Sequence, residues 1–135
     1  MNFEELLADY ETILININRQ KRRHYRSDEY LEAYYQGASR MFHLSKLSGD
    51  FRPARSKPTP EQKEKYLFEG EEPVAMLYYR GKEIPIYNDD YGQQEFIVFN
   101  DKTFGGGAYN TMAEYDFCDY MDDIIDQEII NMKEN

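Results

Sequence analysis

Within the stretch Glu72–Asn110 the chain reads Val74–Arg80 (VAMLYYR), Glu83–Tyr87 (EIPIY) and Gln94–Asn100 (QEFIVFN), three short apolar and aromatic runs separated by turn residues. Runs of this length, rich in Val, Ile, Tyr and Phe and bounded by Gly, Asn and Asp, are strands. Gly81-Lys82 suits a two-residue type II′ hairpin turn. Asp89–Gly92 suits a type I turn closed by glycine. Pro85 removes a backbone donor, so the second strand lies at an edge or carries a local break. Thr103-Phe104 extends the sequence toward a brief fourth strand.

Working outward, Phe3, Leu6, Leu7, Tyr10, Ile13, Leu14 and Ile17 recur at helical spacing and predict a helix over residues 3–21. The basic run Arg19–Arg26 follows as helix end and connector. Ser27 caps a second helix that ends near Leu47-Ser48-Gly49. Its expected apolar stripe is Leu31, Tyr34, Ala38, Met41, Phe42 and Leu47, widened by Tyr30 and Tyr35. Residues 50–60 hold Pro53, Pro58 and Pro60 with Arg52, Arg55 and Lys57, and read as a stiff basic linker. Thr59 then caps a short helix with proline at its first position, Pro60–Phe68. Beyond the glycines at 105–107, Thr111–Glu114 matches the T-x-x-E capping box of a last helix that runs to Met132. Met112, Tyr115, Cys118, Met121, Ile124, Ile125, Ile129 and Met132 form its expected buried stripe. Glu114, Asp116, Asp119, Asp122, Asp123, Asp126 and Glu128 form its expected outer face.

The expected fold is α+β: an antiparallel β-meander of three to four strands packed by a long C-terminal helix, with an N-terminal αα-hairpin. At 135 residues this is one domain by length, made of a hairpin (1–49), the linker (50–60) and an α-βββ-α portion (61–135).

The chain carries a net charge of -10, unevenly spread. Residues 1–60 hold ten Lys/Arg against eight Asp/Glu, and residues 61–135 hold six against eighteen. The single cysteine, Cys118, rules out an internal disulfide. The acidic start lacks the basic n-region of a signal peptide, and the expected location is cytoplasmic, with no membrane partner.

Catalytic chemistry finds little support. Cys118 falls on an apolar stripe beside Asp116 and Asp119, which oppose thiolate formation. No nucleophile-elbow motif occurs. One cysteine and two histidines do not make a structural zinc site. The turn at Asn88–Gly92 fails the calcium-loop pattern, because Tyr87 and Tyr91 fall where oxygen ligands belong. The glycines at 105–107 lack a Walker lysine and open onto a carboxylate-rich helix. No metal or cofactor is expected. The α-βββ-α order is that of double-stranded-RNA-binding domains, but those need cations at the start of the last helix. Here Lys133 is the only cation from Tyr109 onward, so direct nucleic-acid binding is not expected.

The acidic pole remains. Asp89, Asp90, Tyr91, Glu114, Asp116, Asp119, Tyr120, Asp122, Asp123 and Asp126 interleave carboxylates with aromatic anchors. Such a surface suits a basic protein partner, with complementary charge speeding encounter and tyrosines supplying burial. The leading expectation is a non-enzymatic acidic binding protein that occupies the basic groove of a nucleic-acid-handling enzyme. Small acidic phage and mobile-element inhibitors of restriction or CRISPR nucleases act by such mimicry, and the likeness to them is one of charge and size. The alternatives are a small-ligand or enzymatic domain with its pocket between helix two and the sheet, and a subunit that self-associates.

Overall fold

Alternation of side chains along the three quoted runs produces a sheet with two covered faces. In the computed structural model, which describes residues 2–49, 51, 54–88, 94–105 and 111–133, with side chains of the last helix described from residue 117, the strands are β1 (Ala54–Ser56), β2 (Ala75–Tyr79), β3 (Lys82–Asn88), β4 (Glu95–Phe99) and β5 (Lys102–Gly105). They form one antiparallel sheet in the order β1-β2-β3-β4-β5. The helices are α1 (Phe3–Arg22), α2 (Asp28–Ser48), α3 (Pro60–Lys65) and α4 (Thr111–Ile130). The protein is thus α+β, with an N-terminal helical pair and a long C-terminal helix.

The turns differ from expectation in an instructive way. β2 and β3 pair Tyr79 with Lys82, so the central turn residues are Arg80 and Gly81 rather than Gly81 and Lys82. Both have positive φ, 49° and 82°. That is the requirement of a type I′ turn, whose twist matches the strands it joins. Asn100 and Asp101, at φ 50° and 63°, turn β4 into β5 in the same way. The turn at Asp89–Gly92 lies outside the described residues. Residues 54–56, expected as linker, pair with β2 as an edge strand. β3 is central, and its ladder with β4 covers Ile86–Asn88, stopping at Pro85, which has no N–H to offer.

The chain divides into two compact units, residues 1–51 with 119–135, and residues 52–118. In the second, Leu77, Ile84, Ile86 and Ile97 are buried on one sheet face, where Phe117 meets Phe99 and Phe104 edge-on at 5.9 and 5.1 Å. In the first, Tyr10, Leu14, Ile17, Leu31, Tyr35, Phe42 and Ile130 form the core. α4 contributes to both: Phe117 and Cys118 belong with the sheet, and Asp119 onward with the helical pair.

Local signals set the helix ends. Asn2 and Ser27 accept from the Glu5 and Tyr30 amides. Thr59 and Gln62 form a reciprocal capping box at α3. The C-terminal carbonyls of α4 are satisfied from another helix: buried Asn18 of α1 donates through Nδ2 to the Ile130 and Met132 carbonyls at 2.6 and 3.0 Å.

Candidate functional site

The helical unit is built around carboxylates. Asp126 of α4 is 0% exposed. It accepts from the Tyr10 hydroxyl of α1 at 2.6 Å and the Tyr35 hydroxyl of α2 at 3.0 Å. Tyr10 also stacks on Phe42 at 4.2 Å. Burial, and then the Asp126 carboxylate, push both phenols well above their ordinary value, while Ser39 acts in the opposite direction. A phenol in this setting stays protonated and serves as a fixed donor.

One turn nearer the start of α4, Asp122 is also 0% exposed. Its partner is Lys46 of α2, buried to 6% exposure, with Nζ at 2.6 Å from Asp122 and 3.2 Å from Asp119. The Lys46 ammonium also lies 5.2 Å from the Phe42 ring centre and 5.7 Å from that of Phe51. His43 approaches Asp119 through Nδ1 at 3.0 Å. His43, Asp119 and Asp122 each offer one ligand atom, all within 4.8 Å of one another. That is one ligand short of a structural zinc site. The Lys46 ammonium already bridges both carboxylates, and a divalent ion there would meet a like charge.

This geometry corrects the expected outer face of α4. Asp122 and Asp126 point into the unit and present nothing outward; Asp119 and Asp123 are exposed, and Tyr120 is half-buried. Hydropathy places a carboxylate outside by default, and the default fails where a lysine or two phenols wait on the facing helix. Met132, expected inside, is exposed. The side chains of Glu114 and Asp116, and the residues Asp89, Asp90 and Tyr91, lie outside the described residues. The facing residue Lys46 was not singled out from the sequence. Its signal was position: Leu31, Tyr35, Phe42 and Lys46 share one helical face at spacings of four, seven and four.

The stripe expected inside α2 holds in part: Leu31, Tyr35 and Phe42 are buried. Tyr34, Met41 and Leu47 are exposed at 44, 65 and 71%. Tyr34 and Met41, with Tyr30, Gly37 and Leu44, make a second stripe, Tyr30-Tyr34-Gly37-Met41-Leu44, at alternating spacings of four and three. This is the repeat by which one helix seats another. Between it and α1 runs a groove of about 670 Å³, floored by Leu6, Ile13, Ala38 and Phe42 and bordered by Tyr34 and Met41. Asp9 is the one charged residue among those that line it. Gly37 sits at its middle, and a Cβ there would meet no atom within 4 Å. Nothing described in this chain requires that glycine, although glycine inside a helix costs about 1 kcal/mol relative to alanine.

No family model, curated protein or solved structure matches the chain. Among the described residues, no helix is long and apolar enough to cross a membrane.

Proposed function

We propose that the protein is a non-enzymatic binding protein, and that the α1–α2 groove receives an amphipathic helix with a basic flank from a partner. The observation that carries this reading is the exposed stripe of α2 at 3.5-residue spacing, with an otherwise unneeded glycine at its centre. Helix-in-groove recognition uses apolar anchors of this kind, and a small residue lets the two backbones approach. Charge favours a basic occupant. Glu5 and Asp9, one turn apart and both exposed, edge the α1 side of the groove, and the net charge of -10 attracts cations at longer range.

In its narrower form the partner is a nucleic-acid-handling enzyme, with exposed Asp119 and Asp123 joining the contact. Asp122 and Asp126 are committed inside the helical unit and are not part of it.

The test places a photo-crosslinking residue at Met41 in the full chain and sequences the captured segment. A Lys/Arg-flanked apolar helix, lost in Gly37→Leu while helicity is retained, supports the reading. Capture of a second copy, of an acidic segment, or of any segment insensitive to Gly37→Leu overturns it. Competition by an oligonucleotide for the captured partner decides the narrower form.

A further inference from the structure

The sheet unit holds a second cavity, unrelated to the groove. On β3, Glu83, Pro85 and Tyr87 share one face, and Tyr87 pairs with Phe96 of β4. The segment after α3 lies over this face. Phe68 sits 5.5 Å from Tyr87 and 6.2 Å from Phe96, ring centre to ring centre. The Tyr87 hydroxyl donates to the Tyr66 carbonyl and ties the two layers together. Beside them is a cavity of about 530 Å³ lined by Tyr66, Phe68, Pro85 and Tyr87, with the acidic residues Glu83 and Asp101 also in its lining.

Glu83 is prepared as an anion. Its Oε1 accepts from the Tyr66 hydroxyl at 2.6 Å and its Oε2 from Gln62 Nε2 at 3.0 Å. The Tyr66 hydrogen bond, followed by those from Gln62 and Lys65, holds its carboxyl below the usual range. Gln62 is itself held by the α3 capping box. The one cation among the lining residues is Lys65, whose Nζ lies 5.1 Å from the Tyr66 ring centre and 3.3 Å from Glu83 Oε1. Its side chain is 66% exposed and reaches the cavity from the last turn of a short helix.

We infer that this cavity is a binding site for an alkylammonium group, and that Lys65 occupies it in the free protein as an internal stand-in. Aromatic faces carry negative potential and attract ammonium groups, methylated ones above all because they shed water easily. The two carboxylates repel an anion. A neutral apolar ligand would strip water from Glu83 without replacing its charge partner. A cation with an apolar shell satisfies both the rings and the carboxylate, and an exposed lysine on a flexible stem is readily displaced by one. The ammonium can come from a free small molecule or from a lysine side chain of a protein, and both share this chemistry.

Titration followed by amide NMR tests the inference. The probes are tetramethylammonium, a short peptide containing trimethyl-lysine, the same peptide with unmodified lysine, and one with a neutral tert-butyl isostere. The expected result is saturable shifts at Lys82–Tyr87 and Tyr66 with the methylated probes and none with the isostere. Lys65→Ala removes the competitor and tightens binding several-fold. Glu83→Gln weakens it about tenfold. A preference for tetramethylammonium or for the peptide assigns the source. Equal binding of the isostere, weaker or unchanged binding in Lys65→Ala, or no saturable shift in either wild type or Lys65→Ala overturns the inference. Lys65 is exposed, so its removal leaves the fold to be compared directly.

Discussion

Asp122 and Lys46 form a buried ion pair, and a buried pair behaves asymmetrically. Removing one partner strands the other charge, while replacing both with apolar groups can be neutral. Lys46→Met should therefore destabilise the protein by about 3–5 kcal/mol in urea unfolding, and the Lys46→Met/Asp122→Leu double variant should regain most of that loss. A double variant as unstable as the single one would show that the pair does more than balance charge. Tyr10→Phe keeps the stack on Phe42 and deletes one donor to a carboxylate, so a loss of about 1.5–3 kcal/mol is expected.

The same phenols set the alkaline limit of the helical unit. The unfolded chain releases a phenol proton near pH 10.0, whereas Tyr10 and Tyr35 hold theirs to higher pH in the fold. The stability they contribute is whole below that value and falls as pH rises beyond it, by about 1.4 kcal/mol per pH unit for each tyrosine. Urea midpoints measured between pH 9 and 11.5 should drop, and Tyr10→Phe should flatten that drop. An unchanged slope in the variant would remove Tyr10 from this role.

At the scale of elements, α2 is the informative case. It has two apolar stripes, and only one is buried among the described residues of this chain. Gly37 belongs to the other. Gly37→Ala should raise stability by about 1 kcal/mol, the helix-propensity difference, because the added methyl meets open space. The same change should weaken partner capture if the groove receives a helix. A thermal midpoint that rises while capture falls separates the two demands on the position; a midpoint that falls would point to a structural need for glycine. The hairpins make a similar point: both Arg80-Gly81 and Asn100-Asp101 accept left-handed backbone so that adjacent strands keep their twist.

At the scale of the whole molecule, the helical unit is discontinuous in sequence. The first 51 residues are completed by residues 119–135, supplied after the sheet unit has been traversed. Truncation after Cys118 removes Asp122 and Asp126, the partners of Lys46 and of the two buried phenols, and the Ile130 carbonyl that Asn18 satisfies. Circular dichroism of the truncated chain should show helix loss exceeding the deleted residues, as α1 and α2 melt. Helix loss equal to the deletion alone would mean that the helical pair stands unaided.

Much of the architecture is legible in one dimension. Short apolar and aromatic runs bounded by Gly, Asn and Asp define the meander, because strand formation and tight turns depend on neighbours a few residues apart. Ser27 and Thr59 mark helix starts for the same reason. Net charge and its tilt toward the C-terminal half are read by counting. The cavity over Glu83 is not legible in this way, since it needs Tyr66 folded across β3.

Which face of a helix lies inside is settled only in three dimensions. Periodicity identifies faces, but α2 offers two apolar stripes, and hydropathy does not rank them. On α4 it places every aspartate outside. Asp122 and Asp126 are inside because Lys46, Tyr10 and Tyr35 meet them from 76 to 116 residues away along the chain. The energy of a carboxylate depends on what it faces across the interior, and sequence neighbours carry no record of that.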